Sequence, residues 1–330
     1  MADNNQNYIC LSAMLRARET RLLTAEKAAR CCDAPSFQEA AKLLTECGYA
    51  DMEKLGEAQI GEALENRLQS IFSEVYRLSP EKEPVDIFLA KYDCHNAKAI
   101  IKAEGAKSSP EAFLSRAGRV SPEKLKYAFN EENYRDIPPV LAAAMSEAKE
   151  ILARTSNPQK ADIILDRAFF HEITELAAKL GNEYIAGYVR LLIDAANLKT
   201  LVRCLKMKKN ADFINDALIC GGDIQLYRLT GVTDGETLAA LFSQTRLGEA
   251  AAIGKDVISG QKMTRFELAV DNAVFGYFRD SRLMNYGPEA VAAYLAETEN
   301  EITAVRMILT CRLAGVKPEI VKERLRDMYA

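Results

Sequence analysis

Two histidines, eight cysteines and 47 acidic side chains are the residues through which this sequence could do chemistry. His171-Glu172 is the first half of a His-Glu-x-x-His metal motif. The position that needs the second histidine, four residues on, holds Glu175, so no i, i+4 metal pair can form. His95 follows Asp93 by two positions and suggests a base with an orienting acid. On a helix, however, positions two apart point about 200° away from each other. Both histidines therefore read as structural. Cys10, Cys31, Cys32, Cys47, Cys94, Cys204, Cys220 and Cys311 include no Cys-x-x-Cys pair, which removes the usual zinc spacing and the thioredoxin-type redox motif. Neither a GxxxxGK[ST] nor a GxGxxG loop is present to cradle a phosphate, so no nucleotide is expected to bind directly. The expectation is a chain with no catalytic residue, cofactor or metal.

The charge balance supports a partner of another kind. With 43 basic against 47 acidic residues the net charge is -4, wrong for a protein that holds nucleic-acid phosphates along its length. The local cluster Arg203, Lys206, Lys208 and Lys209 falls at a predicted helix end, where cations suit the macrodipole. No run approaches the ~18 consecutive apolar residues of a membrane span. The polar opening Met1 to Asn7 and the absence of a cysteine framework point to a reducing cytoplasm, with any membrane role peripheral.

The elements that position these side chains are helical. Only 17 glycines and 10 prolines interrupt a sequence that is 48% hydrophobic, and strand-type alternation is hard to find. Helical spacing predicts a helix over 11–32, another after Ser36 ending near Gly48, and others over 57–77 and 85–104. Ser121-Pro122, Ile137-Pro138-Pro139 and Asn157-Pro158 each open a helix with proline in the first turn. A long helix is predicted from Glu183 to Lys209, a looser stretch over 221–260, a helix around 263–278, a long one from Gly287-Pro288 to Leu313, and a terminal helix from Pro318 to Met328. The fold class is all-α.

An internal echo runs through these helices. Asp93, Asn96, Lys98 and Lys102 recur in type and spacing as Asp194, Asn197, Lys199 and Arg203, and more weakly as Glu301, Ala304 and Arg306. Intervals of about a hundred residues exceed the period of helical solenoids. They imply three similar helical subdomains around a pseudo-threefold axis, divided as 1–108, 109–212 and 213–330. On the middle repeat helix Arg190, Asp194 and Asn197 lie within ~40° of one line, joined by Glu183. The first copy aligns Asp86, Asp93 and Asn96, and the third Glu297 and Glu301. Such stripes read as a solvated face, a structural cap or the wall of a shared opening.

The same residues carry a family resemblance. Tyr92-Asp-Cys-His-Asn-Ala-Lys98 resembles a hallmark of the C-type stalk component of V-type (A/V-type) rotary ATPases and ATP synthases, the counterpart of the d component of the eukaryotic V-ATPase. The likeness begins at Tyr8 with Leu15-Arg-Ala-Arg-Glu-Thr-Arg-Leu-Leu23. It continues through Asp162-Ile-Ile-Leu-Asp166-Arg-Ala-Phe-Phe170 and Leu191-Leu-Ile-Asp-Ala-Ala-Asn-Leu-Lys199. It closes with Gly287-Pro288-Glu, Tyr294-Leu295, Glu301, Arg306, Gly315 and Glu323-Arg-Leu-Arg-Asp-Met-Tyr329. It is weakest over 210–262, and Cys94 stands where an aromatic residue is expected. The resemblance implies a funnel- or socket-shaped, non-catalytic central-stalk protein. Its partners would be the D and F proteins of the central shaft on one side and the membrane rotor ring (of c/K type) on the other, at the cytoplasmic face of the membrane, serving ATP-linked H+ or Na+ transport. The stripes Asp86/Asp93/Asn96, Arg190/Asp194/Asn197 and Glu297/Glu301 would then line the mouth of the socket. The alternative is an unrelated α-helical adaptor that binds another soluble partner.

Overall fold

The computed structural model describes residues 4–283 and 286–328. Tyr329, the last residue of the terminal motif, lies outside them. The helices are α1 (Ile9–Glu19), α2 (Ala25–Asp33), α3 (Phe37–Thr45), α4 (Glu57–Leu78), α5 (Glu83–Ala106), α6 (Pro122–Glu131), α7 (Pro139–Thr155) and α8 (Pro158–Leu180). They continue with α9 (Glu183–Lys206), α10 (Ala211–Ala217), α11 (Leu226–Thr230), α12 (Gly235–Phe242), α13 (Gly248–Ile258), α14 (Met263–Phe275), α15 (Pro288–Leu313) and α16 (Pro318–Lys322). Among the described residues there is no β-strand, as the chain-breaker count predicts.

Local chemistry sets the helix ends. The hydroxyls of Thr24, Ser36 and Ser121 accept the N–H of Lys27, Glu39 and Lys124, and the Asn157 side chain accepts that of Gln159. Each satisfies one of the donors a helix start leaves open. Gly181 ends α8 in the left-handed region at φ 66°, which glycine adopts without a Cβ penalty. Three predicted bounds differ from the structure. Residues 11–32 form two helices, parted at Thr20–Thr24. The long middle helix ends at Lys206 rather than Lys209, and the terminal helix stops at Lys322 rather than Met328. The loose stretch over 221–260 holds the short helices α11 to α13.

The chain divides into two compact units, one of residues up to Pro80, Ala195–Lys209 and from Thr230 on, the other of Glu81–Asp194 and Asn210–Leu229. The division falls inside α9, after Asp194. In the first unit α15 is central and packs on α1, α2, α3, α4, α14 and α16. Its buried residues run consecutively from Pro288 to Leu295, so it is covered on every side. In the second unit α5 packs on α6, α7 and α8. There Ala97, Ile100 and Ile101 of α5 join Phe129, Leu141, Met145 and Leu165 in one apolar cluster. Each large, fully buried side chain of this kind contributes roughly 1.5–3 kcal/mol. Cys94 belongs to the same cluster, with its thiol donating to the Leu165 carbonyl at 3.5 Å.

Candidate functional site

The stripe of α5 is built around Asp93, which is 0% exposed. Its Oδ1 accepts the Val120 N–H at 3.1 Å and its Oδ2 accepts from Arg119 Nε at 2.7 Å. Arg119 also reaches Glu172 on α8 at 2.8 Å. One turn along, Asn96 pairs with Ser115 as a strand neighbour would: its amide donates to the Ser115 carbonyl and its carbonyl accepts the Ser115 N–H, both at 2.8 Å. Two side chains of one helix thereby hold residues 115–120, a segment with no ladder of its own. Burial pushes the Asp93 carboxyl above its usual range, opposed by the Arg119 guanidinium and the Val120 N–H. Asp86, half-buried at the start of α5, is pushed up by burial to about 6.

Asp194 does the same work on α9. Its Oδ2 accepts the Asp223 N–H at 3.0 Å and its Oδ1 the Ile224 N–H at 3.3 Å. Burial raises its carboxyl to about 6 against the pull of those two N–H groups. Arg190, partly exposed, ties Asp223 at 2.8 Å and Glu183 at 2.6 Å. On α15, Glu301 accepts the Leu23 N–H at 2.5 Å and the Tyr49 hydroxyl at 2.6 Å, with Arg67 Nη2 3.7 Å away. The Arg67 guanidinium lies over the Tyr49 ring at 4.0 Å. Each repeat helix thus carries a buried acid that latches the backbone of a distant loop.

This placement changes the meaning of the stripe. Asp93, Asn96, Asp194, Asn197, Glu297 and Glu301 are all buried, while Asp86 and Arg190 keep partial exposure. Of the three readings the helical period leaves open, a solvated face, a structural cap and the wall of an opening, the contacts made by Asp93, Asp194 and Glu301 are those of a cap. These acids turn inward because loop N–H groups that would otherwise be buried without a partner need acceptors.

Among the described residues no group of three or more His, Cys, Asp or Glu could hold a metal ion. His95 Nε2 sits 2.7 Å from the Phe113 carbonyl, and exposed His171 pairs with Glu175 at 3.5 Å. No helix is long and apolar enough to cross a membrane among the described residues.

Comparison with known proteins matches residues 11–324 to the family described as ATP synthase (C/AC39) subunit. The chain belongs to the C/AC39 family. Among its relatives is the C component of the V-type sodium ATPase of Enterococcus hirae, 24% identical over 98% of this chain and 99% of that one. The C component of the A-type ATP synthase of Pyrococcus horikoshii is 22% identical over 97% of this chain and 90% of its own. That of Desulfurococcus sp. (strain SY) is 23% identical over 96% and 90%.

In this C/AC39 chain the basic echo is also explained. Lys98 pairs with Asp166 at 2.5 Å, and Lys199 with Asp271 at 2.6 Å. One turn on, Lys102 pairs with Asp162 and Arg203 with Glu267, both at 2.7 Å. Recurrence in the sequence identifies the helix residues but not these partners. A signal for the loops does exist: Gly118-Arg-Val120 and Gly222-Asp-Ile224 follow the two aspartates at comparable distances, with separations of 27 and 30 residues at the latch.

Proposed function

We propose that this chain is the central-stalk coupler of a V/A-type rotary ATPase, a non-catalytic collar of three similar helical subdomains seated between the D and F proteins of the shaft and the membrane rotor ring. What supports the reading above all is the recurrence of one buried acid-to-backbone latch on α5, α9 and α15. A part that passes torque must not yield, and close-packed helices whose loops are fixed from within resist deformation. Asp86 and Arg190 would meet the shaft directly. Asp93, Asn96, Asp194, Asn197, Glu297 and Glu301 would act through the loops they hold. Charges at such a mouth guide docking and orientation more than they add affinity. The chain would sit at the cytoplasmic face as a peripheral component and would itself bind no nucleotide. The test is removal from an assembled complex. ATP hydrolysis by the headpiece should continue while ion movement stops, and re-addition of the purified chain should restore the coupling. Ion movement that persists without the chain would refute the reading.

A further inference from the structure

We infer that the third copy of the helical unit is assembled from both ends of the chain, with α15 as its repeat helix and α2, α3 and α4 as its remaining helices. The copies are then 81–182, 183–283 and the pair 286–328 with the N-terminal residues through Leu78, rather than three consecutive thirds. The assignment goes beyond the coupler reading and does not depend on what the chain binds.

Four correspondences within the units carry it. First, the latch acid of α5 holds Val120 and that of α15 holds Leu23, although Glu301 and Leu23 are 278 residues apart. Second, each held residue directly precedes a capped helix with the same opening. Val120-Ser121-Pro-Glu-Lys124 starts α6 with the Ser121 hydroxyl accepting the Lys124 N–H at 3.3 Å. Leu23-Thr24-Ala-Glu-Lys27 starts α2 with the Thr24 hydroxyl accepting the Lys27 N–H, also at 3.3 Å. Third, the helices after the latch come in the same order and end in one long helix that packs back on the repeat helix. This is α8, of 23 residues, on α5, and α4, of 22 residues, on α15. Fourth, the base five positions after the acid faces that closing helix each time. Lys98 meets Asp166 of α8, Lys199 meets Asp271 of α14, and Arg306 Nη1 lies 3.7 Å from where a Cβ on Gly61 of α4 would stand.

The middle copy shows why glycine marks two latches and not the third. A Cβ at Gly118 or Gly222 would fall 2.3 or 2.0 Å from the aspartate Oδ1. Glu301 is longer than aspartate by one methylene, and Arg21 stands two positions before the held Leu23, where Gly118 and Gly222 stand before Val120 and Ile224. The copy made from the chain ends is therefore the one whose closure depends on non-covalent contacts alone, with Glu301 at the seam.

Native-state hydrogen exchange on the full chain tests this. In Glu301→Ala, amides of α2–α4 and α15 should exchange about tenfold faster or more, together, while those of α5–α8 keep their protection. Exchange in α2–α4 that ignores the substitution overturns the assignment. A second measurement is independent of that variant. One circular permutant joins the old ends through a flexible linker of about ten residues and opens at Ser79–Glu81, between copies. Another opens between α6 and α7, inside a copy. The first should keep the native helix signal and its melting temperature to within a few degrees, and the second should lose it. The reverse outcome overturns the inference.

Discussion

Gly118 sits directly over Asp93: a methyl group added there would lie 2.3 Å from the carboxylate Oδ1 and 3.3 Å from its carbon. That oxygen already holds the Val120 N–H, and the other is bonded to Arg119, so the carboxylate has no free direction in which to retreat. Gly118→Ala and Gly222→Ala should each destabilise the chain by roughly 1–3 kcal/mol, as overpacking does. Arg21→Ala, at the matching exposed position, should stay within about 0.5 kcal/mol. Urea unfolding monitored by circular dichroism checks all three.

Asn96 offers a test of the latch that involves no charge. Asn96→Leu keeps the volume and removes both bonds to Ser115. It takes the Asn96 partner from a buried N–H and a buried carbonyl, at up to about 1–3 kcal/mol for each group. The expected outcome is a lowered melting temperature together with faster exchange of the Ser115 amide. An unchanged Ser115 amide would mean that the loop is held by something else.

The pH dependence follows from Asp194. Its folded value of about 6 lies above the ordinary aspartate value of 3.8. The folded chain therefore binds a proton more readily than the unfolded one. The stabilising contribution is fully present below the unfolded value and is lost as pH rises through about 6. The difference in stability between wild type and Asp194→Asn should accordingly change between pH 4 and 6 and level off above 7. Asparagine has no proton to release, so the variant should lack the part of the pH slope that Asp194 supplies.

The paired cations predict a contrast within α5 and α9. Lys102 and Arg203 are about half exposed, with side-chain accessibilities of 51% and 57%, while Lys98 and Lys199 are at 22% and 29%. Surface pairs contribute about 0–1 kcal/mol and are screened by salt. Lys102→Ala and Arg203→Ala should therefore be near neutral in roughly 0.5 M salt, where the screening length is only a few ångströms. Lys98→Ala and Lys199→Ala should retain a measurable loss there, read from thermal melts at two ionic strengths.

The helical class and most helix starts are legible in the sequence because they rest on local signals: Ser36, Ser121 and Asn157 as caps, and prolines in first turns. The break between α1 and α2 is harder to read. Residues 11–32 have continuous helical spacing; Thr24 caps α2 locally, but the acceptor of the neighbouring Leu23 N–H, Glu301, lies far along the chain. Recurrence finds the repeat acids but not the direction they face. A polar line at helical period looks solvated when the partners are backbone N–H groups, which carry no residue-type signature. The run Val291-Ala-Ala-Tyr-Leu295, buried throughout, is the sequence feature that marks such a helix as enclosed on all sides.

Sedimentation measures directly whether this chain bridges shaft and ring. Membranes bearing the rotor ring, incubated with purified D/F subcomplex and then pelleted, should retain D/F only when the chain is added, and the retention should weaken as salt is raised. D/F that sediments equally well without the chain, or a folded chain that stays in the supernatant with both partners present, would contradict it.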